Sequence, residues 1–191
     1  YAASNSLLEP RKVLDLIGRT ANALGFAHKQ QVVHRDIKPA NLMYDAATDI
    51  LKITDFGIAR LTGAGSTRTG IVLGTPSFMS PEQLHGLPLD PRSDLFSMGV
   101  VLYWLFTGRR PFDGANDVHT MKAILEDNPR PPRSWNPKVP SLLEEIVLSL
   151  LEKDRDKRFK SAGHLHDALM SLVVGLPRGA PQPADLVSAA L

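Results

Sequence analysis

The sequence contains no cysteine among its 191 residues. Disulfides and thiolate metal sites are therefore excluded, and the chain suits a reducing compartment, which agrees with a cytoplasmic setting. No uninterrupted apolar run approaches the roughly 18 residues that a membrane span needs. The longest candidate, Met98 to Phe106, is far shorter and reads as a buried helix. The first residues, Tyr1-Ala2-Ala3-Ser4, lack the charged and apolar regions of a secretory signal. They also lack an initiator methionine, which points to a segment of something longer. A membrane anchor, if the parent has one, is then expected outside these residues. Charge of one sign is scarce: 22 Lys and Arg against 20 Asp and Glu leave a net charge of +2. No basic cluster marks a nucleic-acid groove. There is no internal repeat, and no Gly-rich P-loop of the Gly-x-x-x-x-Gly-Lys type.

What is present is ordinary globular composition, 43% hydrophobic and 22% charged, enough for one sizeable core. Pro10 opens a helical pattern in which Val13, Leu14, Ile17, Ala21, Leu24 and Ala27 share one face. This helix is expected to end near His28 to Gln31. Leu42-Met43-Tyr44 and Ile50-Leu51-Lys52-Ile53 read as two short strands around a turn. Residues 57–81 hold Gly, Ser and Thr with little periodicity and read as a long functional loop. Further helices are expected over 92–107, 115–126, 141–152 and 161–174, the last two with Ser141 and Ser161 as N-caps. A Pro-rich bend fills 129–140, and residues 175–191 read as a linker or tail.

Three motifs carry chemistry. They are His34-Arg35-Asp36-Ile37-Lys38-Pro39-Ala40-Asn41, Asp55-Phe56-Gly57 and Ser80-Pro81-Glu82. Taken singly, Asp36 is a loop carboxylate, Asn41 a turn residue and Asp55 a cap. In this order and separation they resemble the signature set of the eukaryotic-type (Hanks-type) serine/threonine protein kinases. The resemblance runs from about Pro10 to Val174, and its details look most like bacterial members.

The resemblance implies ATP with Mg²⁺ (or Mn²⁺) as cofactors and Ser/Thr hydroxyls of proteins as acceptors. It makes Asp36 the base that takes the hydroxyl proton, and Lys38 a cation on the transferring phosphate. Asn41 and Asp55 become oxygen ligands of the metal, a set that suits a hard cation retaining water and phosphate ligands. Met43, with Leu42, would lie under the adenine ring. Arg35 would pair with a phosphate on Ser66, Thr67 or Thr69, added by autophosphorylation, with dimerisation as one route to it. Thr75 would position the substrate. His34, Phe56 and Gly57 would be structural, as would Asp94 and the Glu82–Arg158 pair. Lys38 marks the Ser/Thr branch. No role falls to His28, His85, His119, His164 or His166, which show no metal spacing.

Two small departures are Ser80, where Ala is frequent in the family, and Gln31, where Gly is common. The larger one is an absence: no Gly-x-Gly-x-x-Gly loop precedes the catalytic loop, and no strand lysine or its helix glutamate occurs. The expected fold is therefore mainly α, a kinase-like C-terminal lobe over 1–174 with short strands at the cleft. It would form part of a two-lobed α+β domain whose N-terminal lobe is not in this chain. A non-catalytic pseudokinase is the alternative; the joint presence of Asp36, Lys38, Asn41 and Asp55 favours an active enzyme.

Overall fold

The computed structural model describes residues 9–56 and 76–175. Helix α1 spans Pro10–Lys29, with proline in its first turn, where no amide hydrogen is needed. Its buried face carries Val13, Leu14, Ile17, Ala21 and Leu24, the stripe read from the sequence. The helix closes on a left-handed residue. Gln31 has φ of 60°, its amide donates to His28 O at 2.9 Å, and the Val32 amide donates to Ala27 O at 3.0 Å. That pair of bonds is a Schellman closure. An L side chain at such an angle costs about 1–2 kcal/mol, which glycine avoids. This explains why Gly suits the position that Gln31 occupies. Gln31→Gly is expected to raise unfolding stability by about 1 kcal/mol, measured by urea denaturation; a loss of stability would contradict the strain account.

Strands β1 (Leu42–Asp45) and β2 (Ile50–Ile53) pair antiparallel, Leu42 facing Ile53 and Asp45 facing Ile50. Asp49 at the turn anchors this hairpin to α1. It accepts from Lys12 Nζ at 2.7 Å, Arg19 Nη1 at 3.0 Å and Tyr44 OH at 3.1 Å. These donors, Lys12 first, hold its carboxyl down at about 2.

The stretch expected as a loop to residue 81 ends differently. After a 3-10 turn at Pro76–Phe78 comes a short helix, α2 (Pro81–Leu84), and residues 57–75 lie outside those described. A capping box makes α2: Ser80 N donates to Gln83 Oε1 at 2.9 Å, and Gln83 N to Ser80 Oγ at 3.4 Å.

Helix α3 (Pro91–Thr107) is apolar on nearly every side, the pattern of a helix buried all round. Asp90 caps its start and left-handed Gly108 its end. Around it stand α4 (Asp117–Glu126), α5 (Ser141–Leu150) and α6 (Ala162–Gly175), with α1 packed along α6. A Cβ on Gly99 would stand 2.7 Å from the Leu150 Cβ, so glycine lets α3 and α5 approach. Leu95, Phe96, Met98 and Leu102 of α3 form one core with Leu14, Leu24, Leu143 and Leu165.

One cap is a correction. Ser141 does not cap α5: Pro140 occupies the cap position, Ser141 is already helical, and no side chain caps the end. Ser161 does approach its expected part, accepting the His164 amide at 3.3 Å ahead of α6. The described fold is mainly α with one two-stranded sheet. No helix among the described residues is long and apolar enough to cross a membrane.

Candidate active site

The site is built around Asp94, near the start of α3 and 1% exposed. Its Oδ2 accepts the His34 amide at 2.8 Å and its Oδ1 the Arg35 amide at 2.8 Å. His28 Nε2 lies 2.8 Å from the same Oδ2. A buried carboxylate needs such donors, since burial without them costs several kcal/mol. The result is a backbone held in an otherwise disfavoured shape: Arg35 sits at φ of 69°. On the other side, Gln83 Nε2 donates to the Arg35 carbonyl at 2.8 Å. The turn before Asp36 is thus clamped from two helices.

Asp36 follows immediately. Its Oδ2 accepts from Lys38 Nζ at 2.8 Å and from Asn41 Nδ2 at 3.1 Å. Asn41 Nδ2 also donates to the Asp36 carbonyl at 2.8 Å. Both donors converge on one oxygen, so Oδ1 is left free among the described residues. The carboxylate is about one-third exposed, and so is Lys38. The arrangement is a fixed, accessible proton acceptor with a cation beside it.

Asn41 is buried and spends its amide nitrogen on Asp36, which leaves its Oδ1 as a neutral oxygen able to accept a hydrogen bond or ligate a cation. Thr54 N donates to the Asn41 carbonyl at 3.0 Å, tying the start of the Asp55 segment to Asn41. Asp55 is exposed, with φ of 55° and no partner for its carboxylate among the described residues. No group of three acidic or histidine ligands able to hold a metal occurs among those residues. Two oxygen donors nevertheless fit Mg²⁺, which takes one or two protein ligands and fills its shell with water and phosphate.

His34 is fully buried; its Nε2 lies 2.9 Å from the Thr54 carbonyl, and its ring centroid is 4.5 Å from that of Phe56. Met43 is 51% exposed on β1, beside half-buried Leu42. Arg35 has no carboxylate partner among the described residues. Gly57, Ser66, Thr67, Thr69 and Thr75 lie outside the described residues.

Glu82 and Arg158 meet in a buried two-pronged pair, Nη1 to Oε1 at 2.8 Å and Nη2 to Oε2 at 2.9 Å. Arg158 also donates to the carbonyls of Glu152, Lys153 and Arg92, and Ser93 Oγ donates to Glu82 Oε1 at 2.7 Å. This ties α2 to α3 and to the segment before α6. Burial pushes the Glu82 carboxyl up, but Arg158 and Ser93 outweigh it and leave it below its ordinary value.

Two residues escaped the sequence reading. Gln83 lies one residue beyond the Ser80-Pro81-Glu82 motif and has no part in that reading, yet its amide joins the α2 cap to the Arg35 turn. His28 was set aside with the other histidines, and that is a correction: it reaches Asp94. A signal existed, because His28 continues the buried Ile17, Ala21, Leu24 stripe of α1.

A helical platform thus clamps an accessible carboxylate beside a lysine, with two more side-chain oxygens at hand. The chain belongs to the protein kinase family: the sequence model of the protein kinase domain matches residues 1–170. It is 36% identical over 178 residues to the serine/threonine-protein kinase PknB of Mycobacterium tuberculosis, covering 92% of this chain and 28% of that protein. It is 39% identical over 163 residues to the serine/threonine-protein kinase PrkC of Bacillus subtilis, covering 85% and 25%. The chain thus spans between 25% and 28% of the length of these relatives.

Proposed function

We propose that the chain is the C-terminal, catalytic lobe of an ATP-dependent serine/threonine protein kinase of bacterial type. The observation that carries this is the Asp36 carboxylate, held through Oδ2 by Lys38 and Asn41 with Oδ1 free. Asp36 would take the proton of a substrate Ser or Thr hydroxyl as its oxygen bonds the terminal phosphorus of ATP and ADP leaves. Phosphoryl transfer is mostly positioning and electrostatics, so a rigid base with a neighbouring cation is the part this chain can supply. Mg²⁺, when bound by Asn41 and Asp55, would neutralise phosphate charge.

Met43 and Leu42 would form the floor under the adenine, and a second, ATP-covering lobe would come from outside these 191 residues. Residues 175–191 would lead out of the domain. Arg35, without a carboxylate partner among the described residues, would receive a phosphate placed on Ser66, Thr67 or Thr69 by a second copy. Thr75 would position the acceptor. A cytoplasmic setting follows from this chemistry, since ATP and reduced partners are met there.

The test is phosphoamino-acid analysis of mixed protein substrates after incubation of the full-length protein with Mg-ATP. Phosphoserine and phosphothreonine are expected. Dominant phosphotyrosine would overturn the branch, and ATP binding without any transfer would establish the pseudokinase alternative.

A further inference from the structure

Away from the catalytic platform, the end of α3, the turn after it, the end of α4 and the Pro-rich bend surround an open cavity of about 500 Å³. That is the size of a ligand site, about 300–1,000 Å³. Both tryptophans of the chain, Trp104 and Trp135, line it. Trp135 is fixed in place, its Nε1 donating to the Tyr103 hydroxyl at 2.9 Å, and its ring is partly exposed. Two guanidinium groups lie against that one ring: Arg109 at 4.3 Å and Arg130 at 5.1 Å from its centroid.

The lining carries three arginines, Arg109, Arg110 and Arg130, against two aspartates, Asp113 and Asp127, and the charge of Glu144 reaches the Tyr103 hydroxyl beside them. Asp113 is 3.8 Å from Arg110. The charge of Asp127 acts on Lys153, whose Nζ donates to the Ile124 carbonyl at 2.7 Å. Arg109 and Arg130 have no carboxylate partner among the described residues, and two like charges beside one ring repel each other. An anion bound beside these guanidinium groups would offset that repulsion. Stacking on the indole already orders both forks, so little further ordering is needed to take a carboxylate.

We propose that this cavity binds an acidic segment of a protein substrate, with Arg109 and Arg130 taking its carboxylates and Trp135 supporting its backbone. Trp104 lies ten residues beyond Asp94 on α3, about 15 Å along the helix axis. An extended peptide covers that distance in about five residues. The acidic segment therefore sits at least that far from the phosphorylated residue. That the partner is a substrate rests on the kinase reading above; the binding itself does not.

Two measurements on the full-length protein test this and fail separately. In the first, a synthetic peptide carrying four glutamates is titrated while tryptophan fluorescence is followed, with Trp135→Phe assigning the signal. Saturable binding is expected, weakened about ten-fold or more in Arg109→Gln/Arg130→Gln. The glutamines keep length but remove charge. The glutamine version of the peptide should not bind. Equal binding of the two peptides, or an unchanged Kd in the double variant, would overturn the proposal.

In the second, the same four glutamates are placed six residues from a serine acceptor. KM is expected to rise about ten-fold in the double variant with kcat unchanged, and only for the acidic peptide. A matching KM rise for a neutral peptide would mean general distortion and would sink the proposal. If no peptide is phosphorylated while the first measurement holds, the kinase reading fails and the acidic-peptide site stands.

Discussion

Asp36→Asn is expected to lower phosphoryl transfer by about 10²–10⁴-fold, the usual contribution of a positioned base. The substitution is nearly isosteric. An asparagine oxygen can still accept from Lys38 and Asn41, as Asp36 Oδ2 does at 2.8 and 3.1 Å. The amide nitrogen then takes the free position and cannot accept a proton. The loss should fall on kcat, with the melting temperature within a degree or two of the parent. The measurement is phosphate transfer by the full-length protein at saturating Mg-ATP, alongside thermal unfolding. A variant as fast as the parent would remove Asp36 from the role of base. On the proposed roles Asp55→Asn should behave differently, losing most activity at low Mg²⁺ and recovering part of it as the metal is raised, because it removes the carboxylate charge at position 55 and leaves Asp36 untouched.

Removing Arg158 should cause the largest loss of stability, about 3–5 kcal/mol, because it strands a buried carboxylate. That is a large part of the 5–15 kcal/mol by which domains of this size are stable. Arg158 offers its forked donors to both oxygens of Glu82, and the pair is almost completely buried. The pH dependence carries a sign that ordinary packing loss would not. In the parent, burial raises the Glu82 carboxyl, but Arg158 and Ser93 together bring it below its ordinary 4.5. The stability linked to that depressed value is present above pH 4.5 and is lost as pH falls through the folded-state value. In Arg158→Ala burial prevails and the folded value rises. The variant then gains relative stability as pH falls, when Glu82 takes up a proton. The destabilisation of Arg158→Ala should therefore shrink between pH 7 and pH 4. Thermal unfolding of both proteins across that range checks it; a constant difference would show that Glu82 charge is not the cause.

Much of the scaffold was legible in the residue pattern. The α1 stripe, the α3 apolar run and the alternating β2 residues follow from periods of 3.6 and 2, which local geometry imposes. Ser161 was legible as a cap because a serine ahead of an apolar helical run has a local use. Ser141 was misread because Pro140, one residue earlier, takes the cap position, and one residue decides which side chain faces the free amides. The motif residues Asp36, Lys38 and Asn41 lie within six positions of one another, so their meeting is a short-range event.

Other features depend on residues far apart in the chain. The amides of His34 and Arg35 meet Asp94 across 60 and 59 positions, and Glu82 meets Arg158 across 76. A resemblance can suggest such pairs, but periodicity cannot, because burial and donor geometry exist only once α1, α2 and α3 have packed. The same is true of His28 on Asp94 and of Gln83 on the Arg35 carbonyl. By itself the sequence determined the helices, the hairpin and the short-range meeting of Asp36, Lys38 and Asn41. Tertiary packing decided which carboxylates are buried, which donors satisfy them, and that Arg109 and Arg130 both lie against the Trp135 ring with no carboxylate partner among the described residues.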